Sequence, residues 1–569
     1  MRESAPVRGI FCSVFKCLLV LFLFCAHLTA DSKMQPQALD FAGIFHLKQI
    51  DPTLNGDSLN IGVICRSTTY QQGIPQNDYL PNVNHRSFNE EFFTFHDDSN
   101  LPPGISEHST AVCSILFGED TNVQIEEPST FSYEGILNQS NAEIYEFWYF
   151  LKNYIFHNSK PNADIITVSA GSPFEDWWTR GFDALAQHHD MIIIAGIGNG
   201  LSAYDPPLYP AAGANIIGVG LTTPIISDEQ KNSFQGFSFP QTNHSTGGPT
   251  NDMRCKPDII AQGDCLVAGL DDTGSYVYSG SFSSFATPVV AGTAGLLLQK
   301  AKQDPALNEA AVPEAIKAIL MNSATKLPYW HKGRVEKDDD NIVPLDWMQG
   351  AGMLNAVGAY NTLIAGQYKP GNAAKLGWDV SKLDPNMVLE NSYRFTISSP
   401  AEKFITATVV WNKNYQDKYP FEALPEKDAD LKLELWAIDS ENPYNNYLLD
   451  FSDSKVDNVE HIYTKANPNF TEYEIVVAYS VLKNKNTDPD RYALAWSAAE
   501  NTADDKKLWF DLNTDGKFDN KDIAILLENI IDFSRKSSRY LVGDINQDGK
   551  IDFEDLQIFT NELKSQSEK

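Results

Sequence analysis

From residue 31 to about 365, short apolar runs alternate with helical stretches. Ile61-Gly62-Val63-Ile64, Asp164-Ile165-Ile166-Thr167-Val168, Met191-Ile192-Ile193-Ile194-Ala195 and Asn215-Ile216-Ile217-Gly218-Val219 are rich in β-branched residues and do not alternate cleanly with polar positions. Strands buried on both faces read this way. Helical patterns lie between and after them, for example over 287–302 and 312–321. The pattern predicts an α/β unit with a doubly wound parallel sheet. Sites in such sheets form beyond the carboxyl ends of the strands.

Around 366–390 the pattern breaks into a Gly/Pro/Asp-containing link. Period-two alternation follows, in Phe404-Ile405-Thr406-Ala407-Thr408-Val409-Val410-Trp411, Leu431-Lys432-Leu433-Glu434-Leu435-Trp436, Tyr473-Glu474-Ile475-Val476-Val477 and Arg491-Tyr492-Ala493-Leu494-Ala495-Trp496. Such strands, spaced by Asn/Pro/Asp turns, predict a β-sandwich over 385–500. A polar stretch, 498–507, leads to a last unit at 506–566.

Composition narrows the classes. A net charge of −31 argues against a nucleic-acid partner, which needs basic patches. The first 30 residues join a basic start (Arg2, Arg8, Lys16) to the apolar run 17–25 and small residues up to Ala30. This reads as a secretory signal, so the protein is expected outside the cell. After its removal no segment is apolar enough to span a membrane. Four cysteines then remain, Cys65, Cys113, Cys255 and Cys265, too few for a disulfide framework. A Cys255–Cys265 or a Cys65–Cys113 bridge is left open by the spacing.

The last unit carries a duplicated acidic loop. Asp511, Asn513, Asp515, Lys517, Asp519 and Asp522 recur as Asp544, Asn546, Asp548, Lys550, Asp552 and Asp555, with Gly516 and Gly549 at the sharp turn. A twelve-residue calcium loop draws oxygen ligands from those positions, the seventh through its backbone carbonyl. Two calcium sites are therefore expected. An apolar helix follows each copy, and the unit resembles a type I dockerin. The resemblance implies a cohesin-bearing scaffold protein as partner, met through Asn520 and Lys521 in one copy and Phe553 and Glu554 in the other.

The α/β unit carries candidate chemistry. Ser284 opens a long apolar helix and is followed by Ala286-Thr287-Pro288. A helix N-terminus offers unpaired N–H groups to an oxyanion. His108 precedes a small-residue run, and Asn199 lies in Gly196-Ile197-Gly198-Asn199-Gly200 after a strand. Together with Lys256-Pro257-Asp258, Tyr209-Pro210-Ala211 and Gly350-Ala351-Gly352-Met353-Leu354-Asn355-Ala356, these segments resemble, in order, a subtilisin-like serine peptidase. The resemblance covers about 40–365, within a domain taken as 31–365. It implies that Ser284 attacks the scissile carbonyl, His108 takes its proton, and Asn199 holds the oxyanion. It also implies that Ser169, Ala170 and Gly171 pair with an extended peptide substrate.

The family places an Asp after its first core strand, and Cys65 stands there. A thiol holds an imidazole poorly, and loss of that acid alone costs about 3 × 10⁴ in kcat. Asp98, with Asp97 beside it, is the candidate surrogate acid, and Asp78 is a further one. A thiolate at Cys65, favoured by Arg66, is the other reading. No folded propeptide fits between Ala30 and the matched region. The sandwich resembles the jelly-roll domains that follow some subtilases. The resemblance as a whole predicts a secreted serine endopeptidase, anchored through its dockerin. The alternative is a pseudoprotease, the same fold used for peptide binding or assembly.

Overall fold

The computed structural model describes residue 39 and residues 41–567, apart from 66–68, 72–73, 125–129, 173–175, 201–206, 228–232, 239, 241–244, 271–273, 328–329, 334–339, 401–402, 483–487, 501–509, 511, 513–517, 535–542 and 544–551. The signal-like segment and Arg66 lie outside the described residues. So do Asp511, Asn513, Asp515, Lys517, Asp544, Asn546, Asp548 and Lys550.

The N-terminal unit is built on seven strands: β1 (Asn60–Ile64), β2 (Phe93–His96), β3 (Asn141–Tyr145), β4 (Ile165–Val168), β5 (Ile192–Gly196), β6 (Ile217–Thr222) and β7 (Ile259–Gln262). They pair in the order β2-β3-β1-β4-β5-β6-β7, and every pairing is parallel. The four apolar runs are the four central strands β1, β4, β5 and β6. Their unbroken hydrophobicity has a direct cause: both faces are covered. Ile61, Val63, Ile165, Ile192 and Ile194 join one core with α1 (Glu107–Phe117) and α3 (Ser283–Gln303). Ile64, Ile166, Val168 and Ile193 join the opposite core with α2 (Asp176–His189). Each such side chain contributes roughly 1.5–3 kcal/mol by leaving water.

The second unit pairs eight longer strands. They are β8 (Leu376–Leu383), β9 (Glu390–Thr396), β10 (Lys403–Trp411), β11 (Leu431–Ile438), β12 (Tyr447–Ser452), β13 (Val459–Lys465), β14 (Glu472–Tyr479) and β15 (Asp490–Glu500). One sheet runs β8-β15-β10-β13, and the other joins residues 371–372 to β9-β14-β11-β12. Inward residues such as Tyr393, Val409, Leu433, Ile475 and Trp496 share a single core. The alternation read from sequence is this inward/outward pleat. Strand β8, however, lies inside the stretch read as a link. Only half of it is fully buried, so its pattern is weak.

The two units are closely joined. Helix α4 (Pro313–Asn322) of the first packs on β10 and β15 of the second. Asn458 Nδ2 donates to the Ala214 carbonyl (3.1 Å), and the Cys255 N–H donates to Asp457 Oδ1 (2.7 Å). All four of these cysteines are free and buried, so neither bridge left open by the spacing forms. Burial pushes the Cys113, Cys255 and Cys265 thiols well up, as befits small apolar core residues.

At the C-terminus, α5 (Asn520–Ser534) and α6 (Phe553–Ser567) pack together, with Phe510, Phe518 and Phe559 in mutual contact. Among the described residues no helix is long and apolar enough to cross a membrane.

Candidate active site

The site lies where β1, β4 and β5 end and where α1 and α3 begin. Helix α3 opens at Ser283 after the extended residue Phe282. Its first turn is irregular for a chemical reason. Pro288 has no N–H, so the Ser284 carbonyl loses the donor that a helix normally supplies four residues on. The Ser169 hydroxyl, just past β4, donates to that carbonyl instead (2.8 Å). The segment expected to dock a peptide is thereby tied to the candidate nucleophile.

Asn199 is held from the same turn. Its Oδ1 accepts the Ser283 N–H (2.7 Å) and the Ser283 hydroxyl (2.9 Å), and the Gly198 N–H donates to that hydroxyl (3.2 Å). Gly198 has φ 112°, a conformation that favours glycine, which sets the loop's turn. With Oδ1 engaged, the Nδ2 end of Asn199 is left to donate to a ligand. The Phe285 and Ala286 N–H groups both go to the Phe282 carbonyl. Among the described residues, the Ser284 N–H is thus the first-turn donor left for an oxyanion, beside Asn199.

His108 is the second residue of α1, whose N-cap Ser106 accepts the Ser109 N–H. Helices α1 and α3 pack together, and the imidazole lies 5.7 Å from the ring of Phe285, the neighbour of Ser284. The structure therefore brings Ser284, Asn199 and Ser169 into one bonded group, with His108 against the same helix turn. Ser169 is buried, Ala170 half-buried and Gly171 exposed, so the segment opens to solvent along its length.

Cys65 directly follows β1 and is buried, its thiol facing Ser109. Burial pushes the thiol up to about 12, although the Ser109 hydroxyl counters this. Burial in that position favours the neutral thiol over the thiolate. The acidic candidates sit elsewhere. Asp98 is exposed and ion-paired with Lys152. Asp97 accepts the Asn77 amide (2.8 Å) and the Ser99 N–H (2.7 Å). Glu146 lies one strand over, directly after β3. Its Oε2 caps the following helix through the Tyr149 N–H (2.8 Å).

Sequence reasoning missed two residues here. Ser283 holds the Asn199 amide, and Ser109 fills space beside Cys65. Both sit next to a residue already singled out, and a hydroxyl flanking a catalytic position was the available signal.

A parallel sheet of this order, with a Ser-initiated helix, an Asn loop and a His-initiated helix at its carboxyl edge, defines a peptidase-type α/β fold. The sequence pattern of the subtilase family, peptidase S8, matches residues 46–352, more than half the chain, and the protein belongs to that family. Thermitase of Thermoactinomyces vulgaris is 29% identical over 192 residues, 33% of this chain. The match spans 57% of thermitase's own length.

Proposed function

We propose that this protein is an exported serine endopeptidase in which Ser284 is the nucleophile, His108 the general base, and Asn199 with the Ser284 N–H the oxyanion hole. The observation that carries this is the pair of hydrogen bonds that the Ser283 N–H and hydroxyl donate to Asn199 Oδ1, which fixes the amide at the start of the nucleophile's helix. Donors fixed before the reaction need no reorganisation as charge develops on the carbonyl oxygen. Ser284 Oγ attacks the scissile carbonyl, and His108 accepts the hydroxyl proton and returns it to the leaving amine. A protein or peptide chain is the substrate, docked as an added strand along Ser169–Gly171. A fluorophosphonate label on the full chain is the test. Labelling that vanishes in Ser284→Ala supports an activated serine.

A second reading rests on a specific observation. The neutral thiol at Cys65 supplies no charge to steady an imidazolium. On that reading the same groove binds peptides without cutting them. Absence of labelling in folded, calcium-loaded protein selects it.

The C-terminal unit fits a dockerin that holds two calcium ions. Asp522 and Asp555 are both wholly buried, in equivalent places in the first turns of α5 and α6. Each accepts the N–H of the residue three before it, Asp519 or Asp552, at 2.8 Å. Two buried carboxylates in matched loops suit a cation far better than solvent exclusion alone. The ions would order the loops and take no part in peptide hydrolysis. The unit would anchor the enzyme to a cohesin-bearing scaffold outside the cell. Phe553, 69% exposed, supports this as a contact residue.

A further inference from the structure

We propose that Leu208 fills the pocket for the residue on the acyl side of the scissile bond and limits substrates to small side chains there, such as Gly, Ala or Ser. The inference rests on the peptidase reading and adds the class of peptide cut. A carbonyl carbon facing Ser284, with its oxygen at Asn199, places the attached side chain between two walls. One wall is the docking segment 169–171. The other is the loop 196–199.

A single side chain touches both. A methyl group built on Gly171 would come within 3.0 Å of Leu208 Cβ and 3.3 Å of its Cδ1. A methyl group on Gly198 would come within 2.8 Å of Leu208 Cγ and 3.1 Å of its Cδ1. The isobutyl group therefore occupies the space between the two walls, where a large substrate side chain would have to go.

Leu208 has little freedom to withdraw. Its N–H donates to the Ile197 carbonyl (2.9 Å), inside the oxyanion loop itself. Its carbonyl accepts the Ala212 N–H (3.0 Å). The next residue, Tyr209, forms a two-bond bridge with Ser172, directly after the docking segment. The side chain is half-buried, which leaves one side open to a ligand. Steric exclusion by a pinned side chain discriminates more sharply than the loss of a contact, which is worth only about 10–200-fold per methylene.

The test compares full-length protein with Leu208→Gly and Leu208→Ala on peptides differing only at the acyl-side residue: Ala, Leu or Phe. The native protein is expected to favour Ala over Phe in kcat/KM by about 100-fold or more. The ratio should fall at least about tenfold in Leu208→Gly, with Leu208→Ala between. Equal cleavage of Ala and Phe peptides by the native protein overturns the proposal, and so does an unchanged ratio in folded variants. If no peptide is cut and Ser284 takes no label, the peptidase reading fails, and the pocket is then read by binding. Calorimetry on Ser284→Ala with peptides ending in Ala or Phe should show the Ala peptide binding at least about tenfold more tightly. Equal affinities overturn the proposal in that case too.

Discussion

The Ser169 hydroxyl donates to the Ser284 carbonyl across 2.8 Å, bonding the end of β4 to the first turn of α3. The bond exists because Pro288 cannot supply the helical donor. Ser169→Ala strands that carbonyl in a largely dry site, at a cost of about 1–2 kcal/mol. The expected result is a melting temperature a few degrees lower and a clear fall in kcat, with KM less affected. Full activity with an unchanged melting temperature would show that the bond is incidental.

Asn199 and Ser283 make the second prediction. Asn199→Ala should lower kcat about 10²–10³-fold with little effect on KM, because the amide acts on developing charge. Ser283→Ala removes one of the two bonds to Oδ1 and leaves the N–H in place, so an intermediate loss is expected. Steady-state kinetics on one peptide decides it. A loss in Asn199→Ala that falls on KM alone would assign the amide to ground-state binding.

Cys65→Asp tests the missing acid. Burial pushes the thiol up to about 12, so it favours the neutral form. An aspartate there would face the Ser109 hydroxyl and carry charge toward the base of α1. Its expected effect is a rise in kcat of about 10²-fold or more, since the acid alone is worth about 3 × 10⁴ where the triad is complete. Iodoacetamide should leave the native protein's activity unchanged, because a buried neutral thiol does not react. A fall in rate on Cys65→Asp would mean that the site is already adapted to the thiol.

Much of this was legible in the sequence because the signals are local. Doubly buried strands show as unbroken apolar runs, and β1, β4, β5 and β6 were visible for that reason. The nucleophile helix was visible through its small and apolar residues. Strand β8 was not, because it carries Lys382 and Asp379 and pairs with β15 more than a hundred residues away. Its identity comes from the partner. Asp98 drew attention by proximity to His108 along the chain, and its surface pairing with Lys152 depends on a helix that sequence spacing does not place. Ser109 and Ser283 were hidden because a buried hydroxyl looks like any other serine in sequence.

The joint between the two larger units has a pH signature. Glu314, 2% exposed, accepts Arg491 Nη2 at both oxygens (2.7 and 3.0 Å) and the Asn412 amide (2.7 Å). Burial raises its carboxyl above the usual range, and Arg491 holds the rise in check. Arg491→Ala leaves a buried carboxyl without its cation. The cost is about 2–3 kcal/mol, below that of a fully buried pair because Arg491 is 31% exposed. The sign follows from the direction of the shift. A carboxyl raised in the folded state contributes its stability below its unfolded value and loses it as pH rises through the folded one. The variant should therefore be close to native near pH 4 and clearly less stable at pH 8. Melting curves at the two pH values settle it, and an equal deficit at both would assign the effect to lost packing instead.

Calcium removal should separate the C-terminal unit from the rest. Asp522 and Asp555 are wholly buried, and without a cation the desolvation of each opposes folding. Among the described residues the unit's own aromatic contacts join Phe510, Phe518 and Phe559. The two larger units rest on their own extensive cores. A chelator is therefore expected to expose 506–566 to proteolysis while the rest stays resistant and Ser284 keeps its fluorophosphonate reactivity. Asp522→Ala with Asp555→Ala should reproduce the chelated state in the presence of calcium. Equal resistance of the tail with and without chelator would remove calcium from the account of this unit and leave the peptidase site untouched.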